Sequence, residues 1–399
     1  MKASHDLALL QPGRIGNLEI RNRFVRSATG ESLADEHGFI TQGFQALHVT
    51  LARHGVGLLI TGHIYVHPRG MHKPGMTGLD RDDHIGPLQR LTEAIHAEGA
   101  RIFAELSHTG EKNAIPDVEP IAPSAKQNSQ TKKTAKAATE EEILEVIDSF
   151  RSAARRAKEA GFDGIHIHGA HGYLISQFLS PYVNHREDAW GGPLENRQRF
   201  VFEVYQAIRG AAGADFLVTI KLGIRDFVTG GFTPEEGLAT AERLSEMGVD
   251  AIEISSGVNE TGWAGAWPYA GVTRKRALED KLFHRIFAKP VPEGHFLEET
   301  RQVRERVKCP VIAVGGLRTV ETMEYIIKEG IADFVSLSRP FIREPDLVRK
   351  IEQGKRGSVD CTSCNICSDH SGLHGLKCWR KTNKDLLTHA WYRFTGQLH

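Results

Sequence analysis

The stretch Gly164-Ile165-His166-Ile167-His168-Gly169-Ala170-His171-Gly172-Tyr173 decides the fold. It begins with a short apolar, β-branched run that predicts a buried strand, and polar side chains follow directly behind it. The segment before it begins with Thr139-Glu140-Glu141-Glu142, a capping box in which a threonine hydroxyl and a glutamate satisfy the first free amides of a helix. That helix is predicted to end at Ala160-Gly161. The sequence therefore predicts a helix followed by a strand.

The same unit recurs along the chain. Seven further short apolar runs predict strands, at 24–27, 57–60, 101–104, 217–220, 251–254, 310–314 and 333–337. Thr233-Pro234-Glu235-Glu236 is a second capping box. Three more helices are predicted to end at Glu98-Gly99, Met247-Gly248 and Glu329-Gly330. Eight strands that alternate with helices predict an α/β fold in which a parallel sheet closes into a (β/α)8 TIM barrel.

Composition and charge exclude several classes of protein. The chain has 399 residues, of which 40% are hydrophobic and 25% charged, as in a soluble protein with an apolar core. The 50 basic residues balance the 50 acidic ones, so no overall field attracts nucleic acid or an anionic membrane. No apolar run approaches the ~20 residues that span a bilayer, and residues 1–13 contain no signal-peptide core. We therefore expect a cytoplasmic protein that binds a small molecule and neither nucleic acid nor membrane.

The predicted domain organisation is a barrel over residues 1–353 and a cysteine-rich C-terminal extension over residues 354–399. Two segments exceed a minimal barrel. Residues 112–138 are polar and lysine-rich and predict a solvated loop or a lid, and residues 257–294 form a second long loop. Loops of this length in a compact domain are usually functional.

Candidate functional residues follow the fourth predicted strand. Barrels place their chemistry on the loops at the carboxyl ends of the strands, and His168, His171 and Tyr173 stand at such a position. Neutral imidazoles donate hydrogen bonds to a carbonyl oxygen, and a phenol delivers a proton. These three residues alone leave two other interpretations open, namely a pair of structural histidines and a metal site with H-x-x-H spacing.

A longer motif surrounds these residues. His168 is followed by Phe178-Leu179-Ser180-Pro181, Asn184-His185-Arg186, Asp188-Ala189-Trp190-Gly191-Gly192 and Glu195-Asn196-Arg197. This run resembles the signature of the old yellow enzyme family, and the similarity extends from residues 22–25 to residues 339–341. Residues 52–62 are most similar to the 2,4-dienoyl-CoA reductase branch. The resemblance implies an FMN-dependent ene-reductase, in which hydride from NAD(P)H passes through FMN N5 to the β-carbon of an α,β-unsaturated carbonyl compound.

The resemblance also implies roles for individual residues. His168 and His171 match the pair that binds the carbonyl oxygen of the substrate, and Tyr173 matches the proton donor. Lys221, at the end of the fifth strand, matches the cation at the flavin N1–C2 edge that stabilises the negative charge of the reduced flavin. The residues implied to bind the FMN phosphate are Gly316, Ser338 and Arg339, and those implied to line the isoalloxazine ring are Ala28, Thr29, Gly30 and Gly62.

Two positions depart from the family pattern. Glu105 stands where the family usually has a glutamine that contacts flavin N3 and O2. A carboxylate accepts from N3–H but cannot donate to O2, and its charge opposes an anionic reduced flavin. Gly30 falls where many relatives have threonine or cysteine near flavin O4. Both departures bear on the redox potential.

Four cysteines form a cluster with the spacing Cys361-x2-Cys364-x2-Cys367-x10-Cys378, while Cys309 stands apart. The tight C-x2-C-x2-C start is more typical of an iron–sulfur cluster than of zinc. The dienoyl-CoA reductase branch has a comparable [4Fe-4S] quartet, with one more residue in each of two gaps. In those relatives the cluster relays electrons from an FAD-binding domain that this sequence does not contain. A structural, vestigial or partner-served cluster, a zinc site and free thiols all remain open.

Two rival functions follow from the same residues. An FMN-dependent amine dehydrogenase or N-demethylase would share the scaffold and the signature. A flavin-free barrel in which His168 and His171 bind a metal ion, acting as a hydrolase or a binding protein, is the second rival. The sequence leaves open the physiological substrate, the choice between NADH and NADPH, and whether the chain forms a homo-oligomer or uses an electron-transfer partner.

Overall fold

The computed structural model describes residues 7–258 and 293–398. Eight parallel strands within these ranges form a closed ring, in which each strand pairs with the next and the eighth pairs with the first. They are β1 Phe24–Arg26, β2 Leu58–Ile60, β3 Arg101–Ser107, β4 Gly164–Gly169, β5 Leu217–Gly223, β6 Ala251–Ser255, β7 Val311–Ala313 and β8 Phe334–Leu337. The predicted (β/α)8 TIM barrel is confirmed.

Helices surround the barrel. They are α1 Gln42–Arg53, α2 Ile85–Ala97, α3 Glu140–Glu159, α4 Leu174–Leu179, α5 Leu194–Ala212, α6 Pro234–Glu246, α7 Leu297–Arg306, α8 Val320–Lys328, α9 Arg339–Arg343 and α10 Leu347–Glu352. Both predicted capping boxes are present, at the start of α3 and of α6. The glycines predicted to follow α2, α3, α6 and α8 all have positive φ, between 64° and 90°, which is the conformation that ends a helix without a Cβ penalty.

Two apolar layers hold the barrel together. The larger layer lies between the strands and the helices. The smaller fills the barrel interior with side chains such as Val25, Phe103 and Phe334. A hairpin of Gly13–Ile15 and Leu18–Ile20 precedes β1, and its Ile15 and Ile20 belong to the same interior layer. Each fully buried side chain of this size contributes roughly 1.5–3 kcal/mol.

The lysine-rich segment 112–138 differs from its prediction. It contains three short strands, Ile121–Ala122, Lys126–Gln127 and Thr134–Ala137, joined in one small sheet. Lys133 Nζ donates to the carbonyl oxygen of Ile115 at 2.6 Å and also to that of Val118. A lysine expected in solvent thus binds main-chain oxygens, and the segment is structured rather than a solvated loop. The alternative expectation, a lid, stays a prediction. The second long loop, 257–294, lies almost wholly outside the described residues.

The C-terminal extension packs on the carboxyl-terminal side of the barrel. It contains α11 Ile366–Asp369 and α12 Asn383–Phe394. The amide of Gly372 donates to Ser32 Oγ and that of Leu376 to the carbonyl oxygen of Glu31, both at 2.8 Å. The predicted boundary at residue 353 directly follows α10 and stays a prediction. None of the described helices combines the length and the apolar character needed to cross a bilayer.

Candidate active site

The three residues predicted behind the fourth strand come together at the carboxyl end of the barrel. His168 lies on β4, and the chain turns sharply after Gly169 because His171 and Gly172 have φ of 59° and 68°. A histidine in this left-handed region is uncommon. The turn places the rings of His168 and His171 5.0 Å apart and stacks Tyr173 on His168 at 4.5 Å between centroids.

These side chains differ in what they already bind. His171 Nε2 is 2.8 Å from Ser255 Oγ, and the Tyr173 hydroxyl is 3.1 Å from His72 Nδ1. His168 Nδ1 is buried and has no hydrogen-bond partner within the described parts of the chain. A buried polar atom without a partner costs about 1–3 kcal/mol, so this nitrogen is a ready binding point for a ligand oxygen.

Burial controls the protonation of the three groups. Desolvation lowers the pKa of His168 and of His171 well below the usual range, and nearby charges including Lys221 add to the effect. Both imidazoles are therefore neutral at physiological pH, and each has one N–H to donate. Desolvation, followed by the charge of Glu105, raises the pKa of Tyr173. Its hydroxyl therefore stays protonated.

A buried charge network lies beside the histidines. Lys221 is aligned with His168 across β4 and β5, and its Nζ is 3.3 Å from Glu105 on β3 and 3.3 Å from Glu253 on β6. Burial would lower the pKa of Lys221, but the two carboxylates outweigh it and raise the pKa. Burial likewise raises the pKa of Glu253, but Lys221 and His166 outweigh it and lower the pKa. Lys221 and Glu253 are thus both charged.

Glu105 behaves differently within this network. Burial raises its pKa to about 7, against the opposing charge of Lys221 and with the help of Glu253. Lys221 interacts with both Glu105 and Glu253. The charged form of Glu105 is stabilised less by this lysine than that of Glu253, so Glu105 titrates near neutral pH. Glu105 therefore differs from the glutamine usual in the family in its charge as well, and this charge depends on pH.

A cavity beside these groups gathers most of the residues predicted to bind FMN. Its lining includes Ala28, Lys221, Gly316, Ser338 and Arg339. His171, Arg318 and Gly315 belong to the same lining. Thr29 Oγ1 is 2.7 Å from Ser338 Oγ, which joins the loops after β1 and β8. The predicted phosphate-binding residues, Lys221 and Ala28 therefore line one cavity, whereas Gly30, Gly62 and Glu105 are not among its lining residues.

Close packing explains why two of the positions predicted to line the flavin ring are glycines. A Cβ on Gly62 would overlap the Glu31 carboxylate, and the Gly62 amide donates to Glu31 Oε1 at 2.8 Å. A Cβ on Gly30 would lie 3.0 Å from His63 Cε1. The amide of Gly62, expected to face the flavin ring, is thus engaged by a carboxylate that the sequence did not single out.

Four residues around this site were not predicted from the sequence: Glu31, described above, and His63, Glu253 and His72. His63 lies three residues after the end of β2, at the carboxyl end of a strand, where barrels carry their functional residues, so a signal was present. Glu253 is a charged residue inside an otherwise apolar strand, which is also a signal. His72 lies in a long loop between β2 and α2, and no local pattern distinguishes it.

The four clustered cysteines line a second cavity. Cys361, Cys364, Cys367 and Cys378 all contribute to it, and Arg339 and Cys361 form a wall shared with the first cavity. All four are free thiols. Within residues 7–258 and 293–398, no three histidine, cysteine or acidic side chains are arranged to hold a metal ion. This applies to the thiols and also to His168 and His171.

Comparison with known proteins decides the family. Residues 8–357 match the NADH:flavin oxidoreductase / NADH oxidase family. The chain belongs to this family, the old yellow enzyme family. It is 37% identical over 368 residues to an NADH oxidase from Thermoanaerobacter brockii, covering 91% of this chain and 54% of the relative. The chain thus spans about half the length of that relative.

Solved structures show the same fold. A 2-naphthoyl-CoA reductase in complex with 2-naphthoyl-CoA superposes with a TM-score of 0.84 and 27% identity, over 96% of this chain and 58% of that one. A histamine dehydrogenase from Rhizobium superposes with a TM-score of 0.79 and 26% identity, over 94% and 52%.

The family binds FMN and uses a reduced nicotinamide, and the residues present fit FMN. Two arginines, Arg318 and Arg339, line the cavity and suit a phosphate. Gly315 has φ of 114°, and a Cβ there would lie 2.7 Å from the Phe296 ring, so the chain passes closely beneath the cavity. Lys221 supplies a buried cation to the same lining. These residues are therefore the ones that would bind the cofactor.

Proposed function

We propose that this protein is an FMN-dependent ene-reductase that transfers hydride from NAD(P)H to the β-carbon of an α,β-unsaturated carbonyl compound. The observation that supports it best is the convergence of His168, His171 and Tyr173, with His168 Nδ1 buried and without a hydrogen-bond partner among the described residues. When bound, FMN supplies the two-electron chemistry, taking hydride from the nicotinamide and delivering it to the substrate.

The protein's own residues supply binding and the proton. The neutral imidazoles of His168 and His171 donate hydrogen bonds to the carbonyl oxygen and stabilise the negative charge that develops on it. The Tyr173 hydroxyl gives its proton to the α-carbon. One hydride and one proton then reduce the carbon–carbon double bond. Because the Tyr173 side chain is only 3% exposed, this proton does not exchange freely with solvent.

Amine oxidation is the second candidate, favoured by the structural similarity to histamine dehydrogenase. The decisive experiment reduces the purified FMN holoprotein with NADPH or NADH without oxygen and then adds cyclohexenone. We expect the bleached flavin absorbance to return as the double bond is reduced. An oxidised protein that is bleached by amines, and a reduced protein that cyclohexenone cannot reoxidise, would show that the amine reaction is the real one.

We also propose that the four clustered thiols bind a [4Fe-4S] cluster. Among the described residues no three of them are arranged to hold a metal ion, so binding would have to draw the four side chains together. Two observations support the cluster: the C-x2-C-x2-C start of the sequence motif, and the shared cavity that all four side chains line. Zinc and free thiols are the alternatives. A cytoplasmic location, and either a homo-oligomer or an electron-transfer partner, complete the proposal.

A further inference from the structure

In the described part of the chain, the Tyr173 hydroxyl is hydrogen-bonded to His72. The hydroxyl oxygen is 3.1 Å from Nδ1 of His72, and the two rings meet edge to face with centroids 5.7 Å apart. His72 is only partly buried. It therefore lies between the buried hydroxyl and the surface.

The proposed reaction consumes the proton of Tyr173 once in every turnover. The phenolate left behind must be reprotonated before the next substrate reacts, and burial makes that phenolate unfavourable, as the raised pKa of Tyr173 shows. A side chain that is 3% exposed receives protons slowly from bulk water. The site therefore needs a path for one proton from solvent to Tyr173.

We propose that His72 provides this path and returns the proton to the phenol after each turnover. It acts on the reaction through Tyr173 and is in that sense a positioning residue. The inference rests on the proposed function, because only a reaction that takes the proton of Tyr173 needs its replacement.

The proton balance requires a particular tautomer. With its proton on Nδ1, His72 donates to the Tyr173 oxygen and leaves the phenolic O–H free for the substrate. When Tyr173 gives its proton to the α-carbon, the Nδ1 proton of His72 moves to the phenolate oxygen, and Nε2 takes a proton from solvent. The ring then carries its proton on Nε2, and proton exchange with solvent returns it to the resting Nδ1–H tautomer before the next turnover. One proton enters the protein and one reaches the substrate, and no charge accumulates on either ring.

The charges around His72 favour passing a proton on rather than holding it. Desolvation lowers the pKa of His72 well below its usual range, and Lys73, His63 and Lys112 lower it further. Lys112 comes from the loop after β3, donates to the carbonyl oxygen of His171 at 2.7 Å and lies 5.9 Å from the centroid of the Tyr173 ring. Glu105, on β3, raises the pKa of Tyr173 from the other side. A histidine kept neutral passes a proton on and does not retain it.

The test compares the first turnover with steady-state turnover of the FMN holoprotein, using His72→Phe and cyclohexenone as the probe. The first reoxidation uses the proton already on Tyr173, so we expect it to slow only several-fold. Steady-state turnover should fall about 10²-fold, the usual worth of a positioned proton-transfer group, and a burst should precede it. Imidazole added to His72→Gly should restore much of the steady-state rate.

A purely structural role predicts another pattern. If His72 only orients Tyr173, the first and later turnovers will slow equally and imidazole will not help, and the inference is then wrong. As a matched control, adding His72→Phe to Tyr173→Phe should change the rate little, because the two residues act as one unit.

The state of His72 can also be measured without turnover. In holoprotein labelled with ¹⁵N-histidine, the proton should reside on Nδ1 of His72, and Tyr173→Phe should shift that signal. If cyclohexenone fails to reoxidise the reduced wild-type protein, the proposed function fails, and this spectrum still decides on His72. A proton found on Nε2 would overturn the relay.

Discussion

At the residue scale, the reaction depends on which of two half-reactions a side chain serves. Tyr173 has no role in accepting hydride from the nicotinamide. We therefore expect Tyr173→Phe to leave flavin reduction by NAD(P)H nearly unchanged and to slow reoxidation by cyclohexenone about 10²-fold or more. Stopped-flow absorbance of the flavin separates the two. Equal losses in both half-reactions would mean that Tyr173 shapes the site instead of donating a proton.

His168 and His171 are tested by a ligand that does not react. A phenolate resembles the oxygen of an enolate, and hydrogen bonds to a charged group are each worth about 1.5–3 kcal/mol. We expect His168→Ala and His171→Ala each to weaken phenol binding by roughly 10- to 100-fold, measured from the charge-transfer band with the oxidised flavin. Unchanged phenol affinity in both variants would remove them from the oxygen site.

We expect Glu105 to influence how the flavin potential depends on pH. Its pKa is raised to about 7, so it is neutral below this pH and negative above it. A negative charge opposes reduction of a flavin beside it, and the two-electron potential of the wild-type protein should fall more steeply above pH 7 than that of Glu105→Gln. At higher pH we expect the variant's potential to be higher by tens of millivolts, since ~30 mV corresponds to 1.4 kcal/mol.

The experiment is dye equilibration of the holoprotein between pH 6 and pH 9. Below pH 7 the two curves should converge, because protonated Glu105 and glutamine are both neutral. Lys221, 3.3 Å away, screens part of the charge and limits the difference. Curves that coincide over the whole range would show that Glu105 does not act on the flavin.

At the scale of the element, the sequence predicted those strands and helices that interactions between neighbouring residues determine. All eight strands were found from short apolar runs, and two helices from the capping boxes of Thr139 and Thr233. These signals depend on neighbouring residues only. The Glu31–Gly62 and Tyr173–His72 pairs join residues 31 and 101 positions apart, and no local pattern reports such contacts.

The lysine-rich segment 112–138 also shows that local composition does not report long-range contacts. Its composition predicted a solvated loop, because lysine is usually exposed. The structure instead turns Lys133 onto two carbonyl oxygens. An amphipathic side chain can satisfy main-chain acceptors as well as water, and which it does depends on distant parts of the chain.

The capping box at α6 gives a measurable element-scale prediction. Thr233 Oγ1 accepts from the Glu236 amide at 3.3 Å, and Glu236 Oε2 accepts from the Thr233 amide at 3.0 Å. We expect Thr233→Ala to lower the free energy of unfolding in urea by about 1 kcal/mol. Thr233→Ser keeps the hydroxyl and serves as the control. A loss of stability as large in the serine variant would assign the effect to the methyl group rather than to the cap.

At the scale of the whole molecule, the C-terminal extension and the barrel share a wall. Arg339, which lines the cavity for FMN, donates to Asn365 Oδ1 of the extension at 2.6 Å. Cys361 lines the same cavity as well as the thiol cavity. The extension therefore helps to line the cavity that we propose for FMN and also carries the four clustered cysteines.

The cluster gives the last prediction. Burial raises the pKa of Cys367 to about 12 and also raises that of Cys361, so these thiols are protonated until a metal displaces the protons. Protein purified without oxygen should contain iron and acid-labile sulfide in equal amounts, as a [4Fe-4S] cluster requires. Cys364→Ser should lose both and keep FMN, because Cys364 lines the thiol cavity and is not among the residues of the flavin cavity.

Cys309 provides the matched control for this prediction. Burial raises its pKa to about 11, and its sulfur interacts with Ser245. Both residues lie outside the cysteine motif. Cys309→Ser should retain iron, sulfide and FMN. Iron retained by Cys364→Ser would mean that this thiol is not a ligand, and zinc without sulfide in the wild type would identify a zinc site. Neither metal would leave four free thiols. In that case the wall shared by Arg339 and Cys361 is held by packing and the Asn365 hydrogen bond alone, and FMN affinity should then be the same with and without a chelator.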